Sequence, residues 1–117
     1  MDIIERRIKE RNMVIDRSRN FAQNLPLNSS AFLVGSYARG DFNLWSDVDI
    51  VVISNFVGNP LVRLKNMDFP PGFEIIPLTP DEFWQMIAKK NPLCMEIKKS
   101  GIILRDDLEI ARVMSNS

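Results

Sequence analysis

Two aspartates, Asp47 and Asp49, stand two residues apart at the start of the apolar run 48–53. Residues i and i+2 of a β-strand lie on the same face, so both carboxylates should point the same way. Burying an ionised carboxylate is costly without a positive charge beside it, and no lysine or arginine occurs between positions 40 and 62. A divalent cation is the natural partner. The alternative is that Asp47 caps a turn and Asp49 is a partly exposed strand end.

The turn Gly35-Ser36 follows the short apolar segment 31–34. A glycine directly after a strand lets the backbone approach a ligand closely, and the amides of such a turn can bind an anion together with the Ser36 hydroxyl. An ordinary strand-to-helix turn has the same residues. It is not a P-loop, because Asp41-Phe42 stands where that motif needs Lys-Ser/Thr. With a metal nearby, the turn indicates phosphate chemistry.

A third acid, Glu74, lies in the apolar segment 73–77, which we expect to pair with the strand that carries the aspartates. An acid there is either stranded in the core or a solvent-facing residue of an edge strand. Three carboxylates around one point can hold two Mg²⁺ ions, because Mg²⁺ prefers oxygen ligands and substrate phosphates. Such a pair activates an attacking oxygen and neutralises a leaving pyrophosphate.

Weaker candidates lie in the loop between these motifs. Arg39 can reach a triphosphate, since arginine pairs well with phosphate oxygens, and Ser46 can hydrogen-bond in the site. A solvated loop position for Arg39 and a loop cap for Ser46 are the alternatives. Tyr37 and Trp45 are able to stack on a base, although we expect them to pack against apolar neighbours.

Composition limits the chemistry. We expect the 117 residues to form one domain, 1–117, and 45% hydrophobic residues can build its core. Zero net charge argues against general binding to nucleic acid or to a membrane surface. The lack of histidine excludes Ser-His and Cys-His pairs and histidine-ligated zinc, and the single Cys94 excludes an internal disulfide. Without a membrane span or a signal-peptide core, we expect a cytoplasmic location.

Hydrophobic periodicity predicts a mixed or parallel sheet covered by helices. In the long first helix, 2–25, an apolar stripe runs from Ile4 and Ile8 to Leu25 and is interrupted by Arg11. Thr79 and Glu82 predict a capping box at the start of a later helix. The remaining predicted strands are 31–34, 48–53, 73–77 and 102–104, and the remaining helices are 61–67, 80–90, 93–99 and 107–114.

The run from Gly35 to Gly40, followed by Ser46-Asp47-Val48-Asp49 and its apolar strand, resembles the signature of the DNA polymerase β-like nucleotidyltransferase superfamily. Over residues 31–104 the chain is similar to the minimal nucleotidyltransferases (MNT) of HEPN/MNT pairs. The resemblance implies an α/β (α+β) nucleotidyltransferase fold, with a small mixed β-sheet flanked by helices. It implies phosphate binding by Gly35 and Ser36, and metal binding and catalysis by Asp47, Asp49 and Glu74.

The same resemblance implies Mg-dependent transfer of a nucleoside monophosphate, AMP from ATP, to an acceptor hydroxyl. The expected acceptor is a HEPN-type partner protein, which such an antitoxin neutralises by binding, by AMP transfer to a tyrosine, or by both. Few residues follow Leu104, so we expect a shallow acceptor site or one completed by another chain, in a homodimer or hetero-oligomer. We expect no membrane or direct nucleic-acid binding. The alternatives are a non-catalytic binding module and a small-molecule nucleotidyltransferase similar to aminoglycoside-modifying enzymes.

Overall fold

The computed structural model describes residues 2–65 and 67–115, and within them a four-stranded sheet is covered by helices on both faces. The strands are β1 (Ser29–Val34), β2 (Val48–Ser54), β3 (Phe73–Leu78) and β4 (Ile102–Asp106). The helices are α1 (Ile3–Gln23), α2 (Gly35–Arg39), α3 (Pro60–Leu64), α4 (Pro80–Ala88), α5 (Pro92–Ser100) and α6 (Ile110–Ser115). All of the predicted strands and helices are present in the predicted order, and α2 lies between β1 and β2. None of the helices within the described residues is both long and apolar enough to cross a bilayer.

The sheet is mixed, as expected, with strand order β3-β2-β1-β4. Strand β1 runs antiparallel to both β2 and β4, whereas β2 and β3 are parallel. The carboxyl end of β1 therefore meets the starts of β2 and β3 at one edge of the sheet. At this edge Val34 is the register partner of Asp49, and Asp49 is the register partner of Glu74. The topology thus brings the turn after β1 next to both acidic strand starts.

Alternating residues of the strands enter two separate apolar clusters, as the strand period of two requires. One cluster lies under α1 and includes Ile50 and Val52 of β2. The other lies under α4, α5 and α6 and includes Val51 and Ile53. Asp49 is in phase with Val51, so its side chain belongs to the face that α4 and α5 cover. The acidic residues and the long first helix therefore occupy opposite faces of the sheet.

The apolar stripe predicted for the first helix is only half correct. The second half packs on the sheet and buries Val14, Phe21 and Ala22. The first half does not, since Ile4 is 71% and Ile8 57% exposed. The first turns of α1 lie instead beside α2 and the loop after it, which they contact through arginine side chains.

Local capping sets the ends of two helices. The predicted capping box at α4 is confirmed, with the Thr79 hydroxyl accepting from the Glu82 amide at 3.2 Å. The last helix was predicted from residue 107, which is wrong, because α6 starts only at Ile110. The Asp106 carboxylate accepts from the amides of Ile110 and Ala111 at 2.8 and 3.1 Å, so the helix begins after a turn.

Candidate functional site

Three acids lie at the edge of the sheet where β2 and β3 begin. Asp49 and Glu74 are register partners on adjacent parallel strands, which places both side chains on the same face. Asp47 lies two residues before Asp49, in the segment that leads into β2. Asp49 is half-buried, whereas Asp47 and Glu74 are exposed. Glu74 is therefore not stranded in the core but is exposed beside Asp49.

The surroundings of Asp49 disfavour its ionised form. The pKa of the Asp49 carboxyl is raised to about 6. Burial is the largest cause, the negative charge of Glu74 is the second, and hydrogen bonding with Glu74 is the third. The charges of Asp47 and Glu96 raise the pKa further. Asp49 Oδ1 is also buried without a hydrogen-bond partner among the described residues. A bound cation would give this oxygen a partner and would favour the ionised form of Asp49.

Gly35 lies directly against Asp49. Its φ of +75° falls in the left-handed region, and a Cβ built on it would come within 2.5 Å of Asp49 Oδ2. Only glycine allows both the conformation and this close approach. The Gly35 amide donates to Glu96 Oε1 at 3.1 Å, so it points toward α5. The predicted phosphate turn and the predicted metal carboxylate are therefore in contact.

The other predicted binding residues lie in α2 and in the loop after it. Ser36 is half-buried in the first turn of α2, next to Gly35. Arg39 is the last residue of α2 and donates to Asp41 Oδ2 at 3.2 Å and to the Glu96 carboxylate. The Ser46 hydroxyl accepts from the Asn43 amide at 2.9 Å, which is a loop-capping contact. The structure thus places Gly35 against Asp49, with Ser36 following it in the chain. Arg39 bonds Asp41 and Glu96, whereas Ser46 bonds only within its own loop among the contacts described.

The two aromatic residues of this segment behave differently. Tyr37 is buried and stacks on Phe42 with ring centroids 4.5 Å apart, so the expectation of apolar packing is confirmed for it. The same expectation is wrong for Trp45, which is 89% exposed. Trp45 lies two residues before Asp47, on a turn that projects from the sheet edge.

Sequence reasoning missed three residues that shape the site. Arg11 donates to the carbonyls of Tyr37 and Ala38 at 2.7 Å each, which satisfies the last turn of α2. Arg7 donates to the Phe42 carbonyl at 2.9 Å and lies 4.3 Å from the centre of the Phe42 ring. The third is Glu96. The only sequence signal was the interruption of the apolar stripe by Arg11, and nothing marked Glu96.

The donor set at this edge fits Mg²⁺. All three predicted ligands are carboxylates, and Asp49 Oδ1, which has no hydrogen-bond partner in the described part of the chain, is an oxygen that a cation would satisfy. Among residues 2–65 and 67–115, no three acidic or cysteine side chains already converge closely enough to enclose an ion. Mutual repulsion of the carboxylates opposes such convergence. Asp47, Asp49 and Glu74 are the residues that would hold the ion.

Comparisons with known proteins identify one family model and several solved structures that are similar to this chain. A family model described as a nucleotidyltransferase domain matches residues 15–104. A toxin–antitoxin crystallised with AMP-PNP is 17% identical, with a TM-score of 0.54 over 87% of this chain and 84% of that chain. A putative nucleotidyltransferase from Sulfolobus solfataricus is 19% identical, with a TM-score of 0.44 over 86% and 83%. A mutant of the toxin–antitoxin MntA–HpeT is 18% identical, with a TM-score of 0.49 over 91% and 84%.

No curated protein sequence matches the chain. The span matched by the family model contains the turn at Gly35, both aspartates at the start of β2 and Glu74 of β3. The match extends over most of the chain, and the fold is similar to that of the solved toxin–antitoxin with AMP-PNP. The resemblance seen in the motif is therefore confirmed, and this chain belongs to the nucleotidyltransferase domain family.

Proposed function

We propose that this chain is a minimal nucleotidyltransferase that transfers AMP from ATP to a hydroxyl of a partner protein. The observation that carries the proposal is the placement of Asp49 between Glu74 on the next strand and Gly35 at the preceding turn. A fold neighbour described as a toxin–antitoxin with AMP-PNP supports a nucleotide substrate and a protein partner. We further propose that the partner is a HEPN-type toxin, that the two form a hetero-oligomer, and that the chain acts in the cytoplasm.

The three carboxylates would have different roles in metal binding. Asp47 and Asp49 would hold two Mg²⁺ ions, and Glu74 would share one of them. The ions, when bound, offset negative charge on the triphosphate and on the leaving pyrophosphate. The Gly35 amide and the Ser36 hydroxyl donate to phosphate oxygens, and Arg39 adds a bidentate donor. The role of Ser46 is to hold the loop that leads to Asp47.

The transfer itself needs one proton acceptor. The acceptor hydroxyl oxygen attacks the α-phosphorus, a new O–P bond forms, and the bond from that phosphorus to the pyrophosphate breaks. Glu74 takes the hydroxyl proton, because it is exposed to the incoming acceptor and lies beside Asp49. Its exposure at the edge of the sheet suits an acceptor presented by another protein.

The experiment is transfer of label from α-³²P-ATP with Mg²⁺ to the product of the neighbouring gene. We expect label on the partner with the wild-type chain and none with the Asp47→Asn, Asp49→Asn double variant. Exposed aspartates of α1 and α4 give the matched control, Asp16→Asn with Asp81→Asn, which should keep full transfer. Transfer that survives loss of both site aspartates would exclude the proposed chemistry.

A second candidate, a non-catalytic binding module, is favoured by the exposed apolar start of α1. Ile3, Ile4 and Ile8 are 73%, 71% and 57% exposed, as expected of a surface that another protein covers. The same double variant separates the candidates. If it still neutralises the partner fully, binding alone is the function.

The position of the surface groove beside α1 argues against a small-molecule acceptor. A surface groove of about 870 Å³ runs between α1 and residues 67–70. It is lined on the α1 side of the sheet by residues such as Phe21 and Pro70, and the site carboxylates do not line it. An acceptor bound in this groove would lie on the face opposite to Asp49.

A further inference from the structure

Glu96 of α5 is a fourth carboxylate at the site. Its Oε1 accepts the Gly35 amide at 3.1 Å and also bonds Arg39 Nη1. Its side chain is 28% exposed. These are the backbone donor and the guanidinium that the proposed function assigns to nucleotide phosphate. One carboxylate oxygen therefore holds two phosphate donors at once.

The position of Glu96 follows from how α5 packs. Asn91 caps this helix by accepting from the Leu93 amide at 2.9 Å, and Cys94 and Ile97 bury its inner face. Glu96 precedes Ile97 and points past the end of β1 to Gly35. Another acid so near Asp49 adds repulsion, and the charge of Glu96 is among those that disfavour ionisation of Asp49. Packing alone does not call for a carboxylate here, whereas the two donors do.

We propose that Glu96 competes with nucleotide phosphate for the Gly35 amide and for Arg39. The inference rests on the proposed function, because it takes nucleotide as the competing anion. When a triphosphate binds, both donors pass from the Glu96 carboxylate to phosphate oxygens, and Glu96 turns toward solvent. Glu96 thus keeps the turn and Arg39 ordered, and it lowers the affinity for nucleotide at the same time.

This competition predicts opposite signs for stability and affinity. Removing the Glu96 charge weakens two charge-assisted hydrogen bonds, so the protein should unfold at lower urea concentration. The same change frees two donors for phosphate, so nucleotide should bind more tightly. If the role of Glu96 were purely structural, its replacement would lower both the stability of the protein and its affinity for nucleotide. If Glu96 were a metal ligand, its replacement would lower the affinity for the Mg-nucleotide.

The test is calorimetric titration with Mg²⁺ and α,β-methylene-ATP, whose α–β linkage cannot break in the transfer. We expect Glu96→Gln to lower the Kd by roughly tenfold, and Glu96→Ala, which removes both bonds, by at least as much. The matched control is Glu109→Gln. Glu109 also bonds an arginine, Arg112, at 3.3 Å, but it follows β4 at the opposite edge of the sheet. Its variant should bind as the wild type does.

Several results would overturn the inference. Unchanged or weaker binding by both Glu96 variants, with wild-type binding intact, would overturn it while leaving the proposed function in place. An equal gain from Glu109→Gln would also overturn it, because a general charge effect would then explain the gain. If neither the wild type nor the Glu96 variants bind the analogue, the proposed function fails together with the inference.

Discussion

Gly35 and Asp49 show at the residue scale how close approach creates the site. The backbone at Gly35 leaves room for the Asp49 carboxylate, and no other residue type would do so. The Asp49 carboxylate in turn is half-buried beside Glu74, where it is unfavourable until a cation arrives. Function and stability are therefore opposed at these two positions.

Replacing Gly35 by alanine should abolish nucleotidyl transfer. Both Gly35 and Gly40 have positive φ, +75° and +94°, so alanine at either should cost about 1–2 kcal/mol of stability. Only at Gly35 would the new Cβ collide with Asp49, since a Cβ at Gly40 has nothing within 4 Å. Urea unfolding and label transfer measure the two effects. Equal loss of transfer in Gly40→Ala would refute the steric explanation.

Replacing Asp49 by asparagine should stabilise the metal-free protein above pH 6. The folded-state pKa of Asp49 is raised from 3.8 to about 6, so its contribution to the free energy of unfolding falls as pH rises through that window. Asparagine removes this penalty, which we expect to be on the order of 1–2 kcal/mol at about pH 8 and to vanish near pH 4. Urea unfolding with a chelator measures it.

Magnesium provides the complementary measurement. Adding Mg²⁺ at about pH 8 should raise the urea midpoint of the wild type and leave Asp49→Asn unchanged, because an ion that binds only the folded state stabilises it. Asp16→Asn, at an exposed position of α1, should behave as the wild type in both experiments. If Asp49→Asn is no more stable than the wild type in chelator, the electrostatic account of the site is wrong.

At the scale of elements, α1 positions the site although it lies on the other face of the sheet. Its arginines reach past the sheet edge and bind the carbonyls of α2 and of the loop after it. In α2 itself, Tyr37 and Ala38 belong to the α1 cluster, whereas Gly35 and Arg39 contact Glu96 of α5. This short helix therefore joins the two layers at the site.

Arg11→Ala should destabilise the protein by about 2–3 kcal/mol, because two part-buried carbonyls lose charge-assisted donors. It should also weaken binding of the Mg-nucleotide analogue, since α2 carries Gly35 and Ser36 at its start. Arg19→Ala, at an exposed position of the same helix, is the matched control and should change stability little. Equal destabilisation by the two variants would show that the Arg11 contacts contribute nothing specific.

At the scale of the whole molecule, the sheet separates a supporting face from the face that carries the candidate site. The α1 face holds one apolar cluster, and the α4–α5 face holds the other cluster together with Asp49 and Glu96. Adjacent valines of β2 divide between them, with Val52 facing α1 and Val51 facing the helices near the site. These two residues are a natural matched pair.

Val51→Ala and Val52→Ala should each cost about 2 kcal/mol of stability, since both side chains are almost fully buried. Only Val51→Ala should weaken binding of the Mg-nucleotide analogue, because Val51 lies beside Asp49 on the same face of the strand. Urea unfolding and calorimetry under conditions that keep both variants folded give the two values. An equal loss of affinity would mean that the faces are coupled.

Sequence patterns predicted the elements where local signals were strong. The capping box at Thr79 and the apolar run after Asp49 predicted α4 and β2 closely. The start of α6 was misplaced, because the Asp106 carboxylate that caps it also binds the Ser30 hydroxyl from another strand. The burial of α1 was half wrong, because periodicity shows which face is apolar but not how far the sheet extends beneath it.

The sequence by itself determined the chemistry of this protein. The types and spacing of Gly35, Ser36, Asp47 and Asp49 indicated metal and phosphate, and the lack of histidine left carboxylates, hydroxyls, lysine and arginine as the groups available for catalysis. Their types and spacing are local features of the sequence, although it is the antiparallel pairing of β1 with β2 that brings the turn next to the aspartates. Only the tertiary structure placed Glu96 and Arg11 at the same edge, because 61 residues separate Glu96 from Gly35 and 26 separate Arg11 from Tyr37. Contacts between elements that lie so far apart in the chain depend on how the helices pack on the whole sheet, and local sequence patterns do not predict that packing.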